Sequence, residues 1–380
     1  MSDSLSSPTL SRRRRRRREL AGQRIQILAR RGATLGLTLA LGLGSYFLLS
    51  RGLSTPVAPI FDAQIVPETA VLSQWIPYPE LAAGTVLTDL QARMTTLTAQ
   101  PRLRSGYLFY DPAGGRQAAL KADEAFSAAS VIKLPVLVEF FRQVDDGRVR
   151  LDEVLTLRQD HKGGGSGALQ YRPNGTKLSA LAVATLMIVR SDNTATNMIV
   201  DRLGGPTYVN AQFERWGLQQ TALREPLPDL GGRNSTSPRD LILLLDQIER
   251  GHLLSPASRL QAYAILERTR VRTLLNPGLA PTARIFHKTG DIGKMVGDAG
   301  IILMPDGRRY LAAALVERPH NDRRANQLIA RLSQHYYHFM ATGSLLPLIT
   351  PAPPRLPPPA PARKPAALAK STPRPNSAQR

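Results

Sequence analysis

The sequence predicts an α/β fold in which an antiparallel sheet is flanked by helices and joined to a mainly helical lobe. Strand patterns lie near both ends of the central region, at 105–122 and at 285–316. Helical patterns dominate residues 130–251 between them. A sheet built from both ends of a domain leaves the intervening chain to pack beside it. The middle of the chain is therefore expected to form the helical lobe.

The individual elements follow from periodicity and turn residues. Residues 85–99 carry apolar side chains three and four positions apart, which is the spacing of one helix face. Residues 105–111 and 116–122 form a predicted hairpin around the turn sequence Pro-Ala-Gly-Gly. Three further strands and a last amphipathic helix are predicted at 285–289, 298–304, 310–316 and 321–340.

Length and composition set broad limits on the protein. A chain of 380 residues allows one large domain or two ordinary ones. Apolar residues make up 42% and charged residues 21%, which is ordinary for a globular core. The chain has no cysteine, which excludes structural disulfides, thiolate metal sites and a cysteine nucleophile.

The formal net charge of +21 is concentrated in the two tails. Residues 1–31 hold ten arginines against two acids, and residues 347–380 hold six basic residues and no acid. Charge confined to tails favours attraction to a membrane surface over a folded nucleic-acid groove. The arginine run 12–18 also lacks interleaved aromatic residues, so no nucleic-acid partner is expected.

An uncharged apolar segment follows the arginines. Residues 32–50 comprise 19 residues without a charge, enough for a helix that spans a hydrocarbon core of about 30 Å. The preceding arginines predict a cytoplasmic N-terminus. A cleaved signal peptide is the alternative, but the stretch is long for one and no clean Ala-x-Ala site follows. We therefore expect a single-pass anchor in the bacterial cytoplasmic membrane.

These features divide the chain into five regions. A basic cytoplasmic segment, 1–31, precedes the predicted transmembrane helix at 32–50. Five prolines mark residues 51–81 as a linker to the globular domain at 82–342, which faces the periplasm or exterior. Residues 343–380 are rich in proline and are expected to be disordered.

The first motif that carries chemistry is Ser130-Val-Ile-Lys133. None of the other seven lysines has a serine three positions before it. A serine hydroxyl needs a base to become a nucleophile, and positions i and i+3 share a helix face. Lysine is a base only when neutral, and burial beside a second cation, here Lys288, lowers its pKa. The alternative is an ordinary helix cap followed by a solvated lysine.

Two further motifs follow in order. Ser191-Asp192-Asn193 begins 61 residues after Ser130, and Lys288-Thr289-Gly290 begins 97 residues after Ser191. This trio is shared by class A β-lactamases and penicillin-binding proteins. Across residues 82–342 the chain therefore resembles the penicillin-recognising serine hydrolases, and the class A branch in particular. The resemblance implies the β-lactamase/transpeptidase-like fold.

The resemblance also implies roles for the Ser191-Asp192-Asn193 loop. Ser191 would relay a proton to the leaving nitrogen. Asn193 would bind the substrate's amide side chain and help to orient Lys133. Asp192 would organise its loop through backbone hydrogen bonds, which is also what a plain helix-capping turn would do.

The third motif would bind the other end of the substrate. By resemblance, Lys288 and Thr289 would hold the substrate carboxylate, and Gly290 would let its strand approach the ligand closely. The backbone N–H groups of Ser130 and Asp291 would form the oxyanion hole. The arginine that often helps to hold the carboxylate is missing from the following strand, and Lys294 is the candidate to replace it.

A β-lactamase also needs a base that activates water for hydrolysis of the acyl-enzyme. The loop Arg224-Glu-Pro-Leu-Pro-Asp229 is similar to the Glu-Pro-x-x-Asn loop of class A enzymes, with Asp229 in place of Asn. Glu225 is the candidate base, and by resemblance its bond to Pro226 is cis. The alternative for Glu225 is an ordinary acid of a surface loop.

The resulting functional prediction is a membrane-anchored serine hydrolase that opens β-lactams through a Ser130 acyl-enzyme. One alternative is a D,D-peptidase that acts on D-Ala-D-Ala peptides of peptidoglycan. Another is a cell-wall-binding module without catalysis. The six histidines show no metal-ligand spacing, so neither a metal nor a cofactor is expected. We expect a monomer whose partners are the small-molecule substrate and, through residues 32–50, the membrane.

Overall fold

The computed structural model describes residue 81 and residues 84–347. The strands of this part are β1 Thr85–Val86, β2 Arg104–Asp111, β3 Arg116–Leu120, β4 Phe126–Ser127, β5 Val154–Thr156, β6 Lys177–Ser179, β7 Ser235–Thr236, β8 Arg284–Asp291, β9 Met295–Leu303 and β10 Arg309–Glu317. Its helices are α1 Thr88–Thr98, α2 Lys133–Asp145, α3 Ala180–Val189, α4 Asn193–Arg202, α5 Gly205–Arg215, α6 Pro238–Glu249, α7 Pro256–Leu266 and α8 Arg324–Thr342.

Six strands form one sheet in the order β1-β3-β2-β10-β9-β8. Every pair except β1–β3 is antiparallel. The central strand β10 joins the two ends of the domain, since Ala313 lies opposite Leu108 of β2 and opposite Ala299 of β9. This arrangement leaves β8 at the edge of the sheet.

The sheet is buried on both faces, because successive side chains of a strand point in opposite directions. In β10, Tyr310 and Ala312 belong to a core that also contains residues of α1 and α8. Leu311 and Ala313 belong to a second core, made with the helical lobe between β4 and β8. The predicted α/β arrangement of a sheet flanked by helices is confirmed.

Two local differences from the predicted elements have simple causes. The first helix begins at Thr88 and not at Thr85, because Thr85–Val86 pairs in parallel with β3. The predicted helical region at 130–251 begins with a 3₁₀ turn, Ala129–Ile132, and becomes α-helical at Lys133. Pro135 is tolerated there because it lies in the first α-helical turn.

The predicted transmembrane helix at 32–50, the basic segment at 1–31 and nearly all of the linker and tail lie outside the described residues. In the part that is described, no helix is both long enough and apolar enough to cross a membrane.

Candidate active site

Ser130 lies in the tight turn that connects β4 with α2. Strand β4 pairs with β7, and the Ala128 N–H donates to the Asn234 carbonyl, so this segment is fixed on one side. Ala129 adopts a left-handed backbone conformation with φ of 45°. The Ser130 side chain thereby reaches a cavity of 130 Å³ between the sheet and the helical lobe.

This Ser130 cavity is bounded by all three sequence motifs. Besides Ser130, it is lined by Ser166, Ser191, Val271, Thr273, Leu274, Thr289, Gly290, Asp291, Val296 and Asn326. Hydroxyl groups and backbone of the first, second and third motifs therefore face one space, which is large enough for the reacting part of a small ligand.

The Lys133 side chain contacts residues of the first and second motifs. Its Nζ lies 3.0 Å from Ser130 Oγ and 3.1 Å from Ser191 Oγ. It also lies 2.7 Å from the Ser191 carbonyl oxygen and 2.8 Å from Asn193 Oδ1. A single amine thus touches both hydroxyls that the chemistry of a serine hydrolase requires.

These contacts suit a neutral amine that accepts a proton. Carbonyl and amide oxygens can only accept hydrogen bonds, so the Ser191 carbonyl and Asn193 Oδ1 take the two hydrogens of a neutral amine. The lone pair of Lys133 Nζ is then left for the hydroxyl of Ser130 or Ser191. The geometry matches a general base that is shared between a nucleophile and a second hydroxyl.

The surroundings lower the pKa of both buried lysines. Burial and, after it, the nearby charge of Lys288 hold the pKa of Lys133 well below its usual value, although Asp192 acts in the opposite direction. Burial also lowers the pKa of Lys288 to about 7, with Asp298 opposing the shift. Each amine therefore exchanges its proton far more readily than a lysine in water.

The loop that carries Ser191 is rigid. Ser191 is held in a left-handed conformation with φ of 53°. Asp192 is buried and caps α4, since its Oδ1 accepts the Ala195 N–H while its Oδ2 accepts from Ala168 and Leu169. Asn193 Nδ2 donates to the Gly164 carbonyl, which fixes the amide whose oxygen faces Lys133.

The third motif lies on edge strand β8, directly against the nucleophile. A Cβ atom placed on Gly290 would lie 2.9 Å from the backbone nitrogens of Ser130 and Val131, a distance that real side chains do not reach. Only glycine allows this approach. Lys288 is fully buried and donates to the Thr289 carbonyl, whereas Asp291 is exposed at the end of the strand.

A buried histidine–aspartate pair joins β8 to β9, and no sequence motif predicts it. His287 Nδ1 is 2.8 Å from Asp298 Oδ1, and both side chains have zero exposure. Asp298 also accepts the Leu275 N–H, and Thr269 donates to the His287 carbonyl. These bonds fix β8 at the residue that precedes Lys288.

Glu225 is not among the residues that line the Ser130 cavity, and its role as the base for hydrolysis stays a prediction. Its carboxylate pairs with Arg233 Nη1 at 2.5 Å, and its side chain lines a different cavity beside Asp160 and His161. Asp229 also stays within the loop, where it accepts the Asn234 N–H.

Two asparagine side chains hold this loop in its orientation. Asn234 accepts from the N–H of Glu225 and donates to its carbonyl. Asn197 makes the same pair of bonds with Leu227, which brings the Leu227 backbone, and not Glu225, against Gly163. Among the described residues the cis peptide is Leu227–Pro228, so the cis bond expected at Pro226 is wrong.

The cation beside the third motif is Arg318 and not Lys294. Lys294 Nζ donates to the Gly231 carbonyl and lines a neighbouring cavity. Arg318, at the end of β10, is buried and donates to Asp291 Oδ1 at 2.6 Å and to Asn326 Oδ1 at 2.8 Å. No motif predicts Arg318, because only the tertiary fold brings it beside Asp291.

No group of three or more His, Cys, Asp or Glu side chains in the described part of the chain is arranged to hold a metal ion. The site contains a serine hydroxyl, an amine of lowered pKa beside it, and a second serine hydroxyl within hydrogen-bond distance of that amine. This combination defines a class of protein, the serine hydrolases that use lysine as the base for acyl transfer.

Comparison with known proteins identifies the family. A family model described as the beta-lactamase enzyme family matches residues 89–340. A beta-lactamase of Streptomyces fradiae is 32% identical over 241 residues, which cover 60% of this chain and 77% of the relative. The chain belongs to the beta-lactamase enzyme family, and it is a serine hydrolase of that family.

Solved structures show the same fold. The structure of PBP-A is 48% identical, covers 70% of this chain and 99% of its own, and superimposes with a TM-score of 0.67. A mutant of PBP-A, solved as an acyl-enzyme complex with penicillin G, is 47% identical, covers 69% of this chain and 99% of its own, and also has a TM-score of 0.67.

Proposed function

We propose that this serine hydrolase opens β-lactams by forming an acyl-enzyme at Ser130. The main observation behind the proposal is the position of the Lys133 amine, which is buried and lies 3.0 Å from Ser130 Oγ. Its surroundings hold its pKa well below the usual value. The acyl-enzyme complex of the PBP-A mutant with penicillin G supports the choice of ligand.

In the acylation step, Ser130 Oγ attacks the β-lactam carbonyl carbon while its proton passes to Lys133 Nζ. The developing oxyanion is stabilised by the backbone N–H groups of Ser130 and Asp291. Gly290 supports this assignment, because it lets β8 lie against the Ser130 backbone. The carboxylate of the β-lactam binds at Lys288 and Thr289.

Expulsion of the leaving group requires a proton on the ring nitrogen. Lys133 Nζ also lies 3.1 Å from Ser191 Oγ, so the proton taken from Ser130 passes through the amine to Ser191 and then to the nitrogen. The C–N bond breaks, the ester to Ser130 remains and Lys133 is neutral again. Asn193 holds the amide side chain of the substrate.

A second candidate function is a D,D-peptidase, which would form the same ester from a D-Ala-D-Ala peptide. The position of Glu225 favours it, since this carboxylate pairs with Arg233 and lines a cavity other than that of Ser130, whereas a β-lactamase needs a base that activates water for hydrolysis of the penicilloyl ester. The two functions differ in the fate of the ester and share the chemistry that forms it.

Attachment to the bacterial cytoplasmic membrane is part of the proposal. Its support is the sequence pattern alone, ten arginines before the uncharged segment 32–50, with the catalytic domain on the periplasmic or exterior side. Removal of residues 1–50 is expected to move penicillin labelling from the membrane fraction to the soluble fraction. Labelling that stays with the membrane would contradict the anchor.

The experiment that tests the function is intact mass against time for the full-length chain mixed with benzylpenicillin. Ser130→Ala is the control. A parallel reaction measures D-alanine released from an acyl-D-Ala-D-Ala peptide.

The outcomes separate the candidates. An adduct that forms and then clears, with hydrolysed drug in solution, supports a β-lactamase. An adduct that persists, together with release of D-alanine, supports the peptidase. The absence of any adduct on the unaltered chain would show that Ser130 is not a penicillin-reactive nucleophile. A non-catalytic binding module would then be the remaining candidate.

A further inference from the structure

A second, larger cavity lies next to the Ser130 cavity. It measures 560 Å³ and is lined by Arg102, Arg104, Ser127, Gly232, Lys294, Met295, Glu317, Arg318 and Pro319. We refer to it as the basic cavity, because four of these nine residues are cationic and one is acidic.

The two cavities are neighbours at two places. Arg318 lines the basic cavity and bonds at 2.6 Å to Asp291, which lines the Ser130 cavity. Ser127 lines the basic cavity three residues before the nucleophile in the same segment. At these two places the cavities share a wall, so the basic cavity is the neighbouring space for a ligand that extends beyond Ser130.

Part of the positive charge of the basic cavity is not neutralised. Glu317 pairs with Arg104, and Asp291 pairs with Arg318. Arg102 and Lys294 are exposed, and neither forms an ion pair with any residue that the structure describes. Two cations thus remain available to an anionic group.

A polar group in the wall of the basic cavity also lacks a partner. Ser127 Oγ is buried and forms no hydrogen bond within the described part of the chain. Buried hydroxyls are nearly always hydrogen-bonded in folded proteins, and an unpaired one beside an open cavity favours a ligand or solvent partner.

The direction of edge strand β8 indicates which end of a substrate enters the basic cavity. The proposed carboxylate site is at Thr289, the proposed oxyanion donor is two residues on at Asp291, and Lys294 follows three residues later. A substrate laid along this path has its leaving-group carboxylate at Thr289 and its scissile carbonyl at Asp291. Its acyl chain then continues toward Lys294.

We propose that the basic cavity is a subsite for an acyl chain that bears a carboxylate, such as a peptide with a free acid on the acyl side of the scissile bond. Arg102 and Lys294 attract the carboxylate, and Ser127 Oγ donates a hydrogen bond to it. The inference rests on the proposed acylation of Ser130 and deepens it by naming the class of acyl donor.

Three penicillins with a common phenyl side chain test the subsite. Carbenicillin carries a carboxylate on the α-carbon, ampicillin an ammonium and benzylpenicillin a hydrogen. Acylation rates of the full-length chain are measured by intact mass at a pH where both groups are ionised. Rates relative to benzylpenicillin remove effects on the chemical step that the three ligands share.

Lys294→Gln is expected to lower the relative rate of carbenicillin by roughly two- to fivefold, the size of one exposed charge pair, and to raise that of ampicillin. Arg102→Gln should act in the same direction, which guards against a local folding defect in one variant. Lys294→Arg keeps the charge and should retain the preference. Lys177→Gln, in a cavity lined by other residues, is the matched control.

Added salt should weaken the preference of the unaltered chain, because exposed charges are screened. Relative rates that stay unchanged in both Gln variants would overturn the subsite while leaving acylation of Ser130 in place. If none of the three penicillins forms an adduct, the proposed function and the subsite both fall.

Discussion

The Glu225 carboxylate and the Arg233 guanidinium form an ion pair of 2.5 Å at the outer side of the loop that precedes β7. Both side chains are partly exposed, 36% for Glu225 and 69% for Arg233. The pair therefore directs the acid of this loop toward solvent and toward the cavity with His161. The contacts of this carboxylate therefore lie with Arg233 and that cavity, and not with the residues that line the Ser130 cavity.

The first prediction concerns Glu225→Gln. Because the carboxylate does not line the Ser130 cavity, the variant is expected to form and lose the penicilloyl adduct at rates within about twofold of the unaltered chain, the behaviour of a surface substitution. Intact mass against time with benzylpenicillin measures both rates. Arg233→Gln, which removes the other partner of the pair, is the matched control. A large slowing of adduct loss in Glu225→Gln, but not in Arg233→Gln, would show that the Glu225 carboxylate takes part in hydrolysis of the acyl-enzyme.

The second prediction concerns the protonation of Lys133. Only the neutral amine accepts the proton of Ser130, and burial beside Lys288 lowers the pKa of Lys133. The acylation rate at saturating benzylpenicillin is therefore expected to rise with pH until the amine is neutral and then to level, whereas loss of the Lys288 proton above about pH 7 weakens binding of the carboxylate. Lys133→Ala should lose roughly 10²- to 10⁴-fold in rate, as expected for a general base.

Lys133→Arg provides the control for charge, since arginine keeps the cation but does not release its proton in this pH range. It should be as slow as Lys133→Ala and should lack the rise with pH. The measurement is the adduct-formation rate with benzylpenicillin across a pH series. A rise with pH that survives in either variant would assign the base to another group.

The parts of this site that could be read from the sequence are those fixed by local geometry. Ser130 and Lys133 meet because they are three positions apart at the start of one helix. Gly290 could be singled out because only glycine permits close approach of two backbones. Part of the sheet was equally accessible, since β9 and β10 are largely apolar runs.

Contacts made across the fold were not accessible in this way. Glu225 and Leu227 are two residues apart, and sequence alone does not say which one Asn197 holds against the site. The Arg318–Asp291 pair joins positions that are 27 residues apart on the ends of two strands that are not neighbours in the sheet. Both contacts depend on how the helices, strands and loops pack together, and no local sequence pattern predicts them.

The third prediction links the pKa of Lys288 to stability. Burial lowers this pKa from 10.5 to about 7, so between these values the folded state holds a neutral amine and the unfolded state an ammonium. Unfolding then takes up a proton, and the free energy of unfolding rises with pH across this window by up to about 1.4 kcal/mol per pH unit from this group.

Lys288→Met removes the titration and keeps a side chain of similar length. The difference in free energy of unfolding, unaltered chain minus variant, should therefore increase from about pH 7 to about pH 10 and be nearly constant below pH 7. Urea unfolding at several pH values measures it. A difference that does not change with pH would mean that Lys288 keeps its ordinary pKa in the folded protein.

The last prediction concerns Asn234, which is completely buried. Its side chain binds the N–H groups of Arg224 and Glu225 and the Glu225 carbonyl, while its own carbonyl accepts the Ala128 N–H. Asn234→Ala leaves three loop backbone groups without partners, at a cost of roughly 1–3 kcal/mol for each buried group that stays unpaired. Asn234→Asp keeps the acceptor for the two N–H groups but places a buried oxygen against the Glu225 carbonyl, so it should also lose stability. Because the same residue fixes the segment before Ser130, acylation should slow in both variants. Urea unfolding and adduct-formation rates test both effects, and an alanine variant as stable as the unaltered chain would show that the loop does not depend on this residue.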